Sequence, residues 1–336
     1  MIKLPKVIAG TSSLGNLYEA LPFEQKKQIV NAYITTAGNH AVFDSAGKYG
    51  AGLALESLAE CLHELGVGPQ QVTISNKLGW FRTELTGAEP TFEPGIWKDL
   101  KYDAIQRISY NGIMECFEQG NKLLGDYAAQ MVSVHDPDEY LAASADEQDG
   151  QQRYSDILQA YRALHDLKRQ GHVQSVGVGA KDWRVIERIS KDVSLDWVMF
   201  ANSLTIYQHP GKLLSFVNDL AANGVAVINS AVFHGGFLTG SNFFNYRPVS
   251  RNNQADSALF DWRDKFYSLC SAFNIKPAAA CVYFAKHIPG ITSIALNSTS
   301  PQRTKSNVEM VHEEIPPAFW REMKEIALLK PDYPYL

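Results

Sequence analysis

The chain has 336 residues, of which 45% are hydrophobic and 20% charged, with a formal net charge of −5. That is the balance of a globular protein in water, and so mildly acidic a surface supplies no electrostatic footprint for nucleic acid or anionic membrane. No run reaches the roughly 18 apolar residues of a membrane span, and the start "MIKLPKVIAG" lacks the apolar core of a secretion signal, so the chain is expected to be cytoplasmic.

In chain order, short β-rich runs alternate with longer helix-period runs, the pattern of βα units and a parallel sheet. The expected strands are Val7 to Gly10, Ala41 to Phe43, Val72 to Asn76, Gln130 to Val134, Ser175 to Val178, Trp197 to Ala201, Val225 to Asn229 and Ile291 to Leu296. Between them lie amphipathic segments such as "EQKKQIVNAYITTAG", "LALESLAECLHELG", "NGIMECFEQGNKLLG" and "YSDILQAYRALHDLKRQG". Gly66, Gly125, Gly171 and Gly224 stand where helix C-termini are expected. With no linker rich in Pro, Ser or Gly, the pattern predicts an α/β fold: a single (β/α)8 TIM barrel spanning 1–336 as one domain.

A doubly wound fold has less support, because no strand is followed by GxGxxG at a helix start; the run "VGVGAK" lies on the fifth strand itself. Three segments exceed a usual βα loop and are expected as irregular chain over the C-terminal face: Gly79 to about Lys101, Asp136 to about Arg153, and Phe233 to about Gln254. The cysteines Cys61, Cys116, Cys270 and Cys281 show no CxxC spacing and read as reduced structural thiols.

In a barrel, polar residues at strand C-termini gather at one mouth. Strand two ends in Asp44, strand three in Lys77 and strand four in His135, with Tyr49 on the turn after Asp44. A tyrosine that moves protons near neutrality needs its pKa of about 10 lowered, which a neighbouring ammonium does. Lys77 would supply that charge, Asp44 would keep the lysine protonated, and His135 would hold a carbonyl or alcohol oxygen by a hydrogen bond. Taken singly, Asp44 also reads as a cap or salt-bridge partner and His135 as the start of a turn. Metal, Ser-triad and phosphate-loop chemistry lack a motif. His209 and His234 follow strands six and seven and read as pocket-lining or, more simply, as locally hydrogen-bonded histidines.

The stretch "FDSAGKYGAGLALE" resembles the FDTAxxYGxGxxE motif of aldo-keto reductases, with Asp44, Tyr49, Gly50, Gly52 and Glu56 in place; "ISNKLG", "VSVHD" and "LNSTSPQRTKSN" continue the likeness. The resemblance implies a TIM barrel that binds NAD(P) without a Rossmann domain, with a tetrad of Asp44, Tyr49, Lys77 and His135. "KLGWF", "SYNGIMECF", "VHDPDEY" and "INSAVFHGGFLTG" look most like the aldose 1-dehydrogenase group, which acts on L-fucose, D-arabinose, L-galactose and D-threo-aldoses; a pyridoxal dehydrogenase has a similar sequence.

For the cofactor, the resemblance points to Asn202, Ser203, Asn229, Ser230, Ser298, Arg303 and Asn307. Gly179-Ala180 replaces the Ser-Asn of many members, and Asn229 replaces the tyrosine that stacks on nicotinamide. Asn297 stands where NADP-preferring members carry a lysine, so NAD is favoured over NADP.

The expected reaction is oxidation of an aldose at C1 to the lactone, with Tyr49 as acid/base and Trp80, Phe81, Trp97 and His234 against the substrate. A pyridoxal 4-dehydrogenase, a general aldehyde or ketone reductase, a Schiff-base aldolase or lyase using Lys77, and a non-catalytic cofactor-binding regulator are the alternatives. The partner expected is a small sugar or aldehyde, taken by a monomer or small homo-oligomer.

Overall fold

A computed structural model describes residues 3–38, 40–245 and 247–336. Eight parallel strands close into a barrel: β1 (Val7–Gly10), β2 (Ala41–Ala46), β3 (Val72–Leu78), β4 (Met131–His135), β5 (Ser175–Ala180), β6 (Trp197–Ala201), β7 (Ala226–Ser230) and β8 (Ile291–Leu296). Each pairs with its neighbour in sequence, and β8 returns to β1 through Val7↔Ile294. All eight expected strands are present, with ends shifted by up to three residues: β2 runs on through Asp44 to Ala46 and β3 through Lys77 to Leu78. Among the described residues no helix is long and apolar enough to cross a membrane.

Strand alternation separates two cores. Val7, Phe43, Ile74, Val132, Val134, Val176, Val178, Val198, Phe200 and Val227 face the surrounding helices, whereas Ile8, Val42, Met131, Trp197, Met199, Ala226, Ile228 and Ala295 fill the lumen. The period of two carries lumen parity onward along three strands, from Val42 to Asp44, from Thr73 to Ser75 and Lys77, and from Met131 to Ser133 and His135. The lumen is therefore apolar below and ionic at its C-terminal mouth.

This parity also explains "VGVGAK". A Cβ at Gly177 would sit 2.1 Å from the Trp197 ring, and one at Gly179 would sit 3.3 Å from Cδ of Lys77. The two glycines make room for a large lumen side chain and for the stem of the mouth lysine, not for a dinucleotide.

The helices Phe23–Ala37, Leu53–Glu64 and Tyr110–Leu124 lie where their apolar periods put them. Two of the three segments expected to be irregular are ordered instead. The first opens as a hairpin, Trp80–Glu84 pairing antiparallel with Tyr102–Gln106. The second holds the helix Pro137–Ala142 and the first turns of Glu147–Arg169, which start after the Asp146 cap at Glu147, seven residues before Tyr154. Their polar sequence "EQDGQQR" gave no apolar stripe to read. The third holds a 3-10 turn, Phe237–Thr239, and a two-residue ladder pairing Phe243 with Pro248.

Candidate active site

The β2 strand and the turn after it deliver Asp44 and Tyr49 because the backbone there approaches residues 11–16 closely. Thr11 donates both its N–H and its hydroxyl to the Asp44 carbonyl at 3.0 Å. Gly50 has φ +61, and a Cβ on it would sit 2.3 Å from the Gly15 carbonyl oxygen, so the turn admits only glycine at that point. Glu56 holds the turn from outside: its two carboxylate oxygens accept from Arg82 at 2.8 and 2.7 Å, and Arg82 Nε donates to the Ala51 carbonyl at 2.6 Å.

Inside the mouth, Lys77 Nζ lies 2.5 Å from Asp44 Oδ2, both side chains almost wholly buried. The same ammonium sits 4.7 Å from the centroid of the Tyr49 ring. His135 meets Tyr49 edge to face, centroids 5.5 Å apart at 84°. All four residues expected to form the tetrad therefore converge.

Burial pushes the Tyr49 phenol well above its ordinary pKa, with the charges of Asp44 and Asp136 adding to the effect and Lys48 opposing it. This corrects the expectation that Lys77 would lower it: the charge of Lys77 is already offset by Asp44, and loss of water around the phenol dominates. His135 is held well below its usual range by burial, then by the positive charges of Lys77 and Lys48, and is a neutral imidazole. Its Nδ1 and the Asp44 Oδ1 are buried without a partner, and its Nε2 lies 3.6 Å from Asp136 Oδ2.

The aromatic candidates divide. Trp97 packs on Tyr49 with centroids 5.9 Å apart, and Trp80 joins the same cluster through Phe92 at 5.6 Å. Phe81, one residue along the hairpin, is turned to the opposite side and packs against the main core. His234 is also not part of the mouth: it is wholly buried, bonded through Nε2 to Thr205 and through Nδ1 to Asn245 at 2.7 Å each, and stacked on Phe244. Burial lowers its pKa to about 4, as suits a neutral packing residue. His209 bonds the Thr205 carbonyl through Nδ1 and packs against Phe284 and Tyr333.

Of the cofactor candidates, Asn202 follows β6 with φ +60, and its amide Nδ2 and Oδ1 are both buried and unpartnered. A buried amide with a free donor and a free acceptor matches a carboxamide, which offers one of each. The Ser203 hydroxyl is taken up by the Lys181 and Ala201 carbonyls, and that of Ser230 by the Phe200 carbonyl. Asn229 has the parity of Val227, on the helix side of β7, and donates to the Leu204 carbonyl at 2.7 Å. Ser298 and Asn307 line a cavity of about 20 Å³ beside β1 that none of the tetrad touches, and Arg303 is exposed near the start of the helix Pro301–Glu309. The Asn297 amide is tied to Ser12 and Ser13 at 2.9 and 2.7 Å.

Sequence reading missed Lys48. This buried lysine lies between Glu93, Glu139 and Asp136, at 2.8, 3.0 and 3.4 Å. Its signal was present in "GKYG" and "HDPDE", but a charge on a turn reads as solvated unless its partners are known.

A barrel whose mouth gathers a buried Asp-Lys pair, a tyrosine and a neutral histidine defines a site equipped for proton transfer to and from a bound oxygen. The family model for the aldo/keto reductase family matches residues 6–328, and the chain belongs to that family. Membership makes it an oxidoreductase of a class that works with NAD(P)H. It is 24% identical to pyridoxal 4-dehydrogenase of Microbacterium luteolum, over 95% of this chain and 93% of that one. It is 22% identical to D-threo-aldose 1-dehydrogenase of a Pseudomonas species, over 98% and 95%. Two solved structures share the fold. The aldo-keto reductase from Bacillus halodurans, in its holo form, gives a TM-score of 0.66 at 17% identity, over 97% of this chain and 92% of that one. The glycerol dehydrogenase from Gluconobacter oxydans gives 0.68 at 16%, over 96% and 90%.

Proposed function

We propose that the protein oxidises a cyclic hemiacetal to a lactone with NAD(P), an aldose at C1 being the leading substrate. The observation that carries this reading is the pairing of the proton-transfer group with a cluster of aromatic rings: Tyr49, beside Lys77 and His135, is packed against Trp97 in the Trp80–Phe92–Trp97 cluster. Pyridoxal also closes to a cyclic hemiacetal, and the likeness to pyridoxal 4-dehydrogenase makes it the second reading. The whole chain, 1–336, is proposed to act as one domain.

A bound oxidised nicotinamide supplies the hydride acceptor. The unpaired Asn202 amide is the residue best suited to hold its carboxamide, with Arg303 and Asn307 toward the adenosine end. Within the protein, the neutral His135 has one N–H to give and directs it to the reacting oxygen. In its phenolate form Tyr49 takes the hydroxyl proton as the C–O bond becomes C=O, and as the phenol it returns the proton in the reverse direction. Asp44 fixes Lys77 beside the phenol, and this same ion pair argues against the Schiff-base reading, since an amine held at 2.5 Å from a carboxylate is not free to attack.

Tyr49→Phe removes the proton carrier and keeps the ring. It is expected to reduce turnover by at least about 100-fold while NAD binding, read by quenching of tryptophan fluorescence, stays within about twofold. A panel of aldoses and pyridoxal followed at 340 nm identifies the substrate; retained turnover in the variant would remove Tyr49 from the mechanism.

A further inference from the structure

We infer that Lys48 is a positioning residue, an internal latch that holds Glu93 and, through it, Trp97 as the wall of the substrate pocket over Tyr49. Four observations carry this. The Lys48 side chain is only 4% exposed, and its ammonium lies 2.8 Å from Glu93 Oε1. The other carboxylate oxygen of Glu93 accepts the Trp97 indole N–H at 2.7 Å, so one side chain links the cation to the ring. That ring packs on Tyr49 and on Phe92. Glu93 itself has φ +45 and Asp99 φ +50, left-handed conformations that a non-glycine residue keeps only when its surroundings hold it there.

The segment between the hairpin strands is thus clamped from two sides. On its outer side it pairs with residues 16–18: the Tyr18 N–H donates to the Ile96 carbonyl at 2.8 Å, and the Lys98 N–H to the Asn16 carbonyl at 3.0 Å. On its inner side the clamp is ionic. Lys48 is anchored to the barrel by Asp136 and Glu139, which follow β4, and its ammonium sits 5.1 Å from the Trp80 ring centroid. Lys48 thus joins the turn bearing Tyr49, the end of the strand bearing His135, and the segment bearing Trp97.

Both halves of the pocket are thereby set by one cation. Removing it leaves Glu93, Asp136 and Glu139 with the cation of Lys181, which pairs with Glu139 and lies 3.9 Å from Asp136 Oδ2 but has no ion pair with Glu93. Glu93 is then the carboxylate left uncompensated and repelled by the others. Glu93 has the freedom to leave, since it belongs to the segment and not to the barrel, and Trp97 moves with it.

The test uses the full-length protein and two readouts. Limited trypsinolysis at the exposed Lys98 and Lys101, followed by intact mass, needs no substrate; Lys48→Met and Glu93→Gln should each raise cleavage there at least about fivefold, and Lys48→Arg should restore protection. Steady-state kinetics with whichever aldose or pyridoxal the protein turns over should show KM raised roughly tenfold in both variants, with kcat changed by no more than about threefold in Glu93→Gln. Lys48→Met also loses the charge that opposes the rise of the Tyr49 phenol and so should slow oxidation further. In the double variant the two effects should be non-additive. Unchanged cleavage in both single variants would overturn the latch, whether or not the protein is active. Faster cleavage with an unchanged KM would overturn Trp97 as the pocket wall. The kinetic arm rests on the oxidoreductase reading and the proteolytic arm does not, so failure of one is told apart from failure of the other. Glu93→Gln, on the loop side of the pair, keeps the test open if Lys48→Met does not fold.

Discussion

At the scale of single residues, the site sets two protonation states that fix how the rate should depend on pH. Burial keeps the Tyr49 phenol protonated far above neutrality and keeps the His135 imidazole neutral well below its usual range. A raised phenol pKa makes the donor form abundant and the acceptor form scarce. Reduction, which draws a proton from Tyr49, is therefore expected to run flat across pH 6 to 9, with kcat/KM falling only in stronger alkali. Oxidation, which delivers a proton to Tyr49, should instead gain in kcat/KM with rising pH over the same range, approaching tenfold per unit. Neither direction should show a break near 6.5, because His135 gains no proton there. Measured profiles with an ionising group near 6.5, removed by His135→Asn, would mean that the imidazole is not held neutral.

Elements, more than residues, decide whether the tetrad meets. Asp44, Lys77 and His135 were legible because the alternation that buries Val42 and Met131 in the lumen carries their parity up the strand to the mouth, and a period of two survives in sequence. Asn229 and Phe81 misled for the same reason in reverse. Each lies next to a plausible position, and a one-residue step turns a strand side chain to the other face. Lys48 was illegible because its partners come from segments 45 and 88 residues away, Glu93 and Asp136, which only the closed barrel joins. The turn after β2 offers a sharp test of the element scale. Gly50 and Gly66 have nearly the same φ, +61 and +67, but a Cβ at Gly50 meets the Gly15 carbonyl at 2.3 Å while one at Gly66 meets nothing within 4 Å. Gly66→Ala should cost about 1 kcal/mol, the conformational term alone. Gly50→Ala must also displace the backbone that positions Tyr49, and should lose at least about 2 kcal/mol more together with most of the activity. Equal losses in urea unfolding would show that the contact between the two loops is not tight.

For the molecule as a whole, the choice between the two nicotinamide cofactors bears on stability as well as on rate. A ligand that binds only the folded chain stabilises it by about 2.7 kcal/mol at 100 times its Kd, which raises Tm by several degrees in a chain of this size. The side chain at 297 is an amide already engaged with Ser12 and Ser13, so it brings no cation to a 2′-phosphate. Arg303 is exposed on the helix that follows β8 and is the cation proposed to serve either cofactor. At equal concentration NAD should therefore raise Tm more than NADP. Asn297→Lys should narrow or reverse that difference, since it adds a charge worth more to the phosphate than to a hydroxyl, while the two lost hydrogen bonds lower the Tm of the free protein slightly. The measurement needs no substrate, and a larger shift with NADP in the unmodified protein would place the phosphate contact on another residue, with Arg303 the first to replace by Ala.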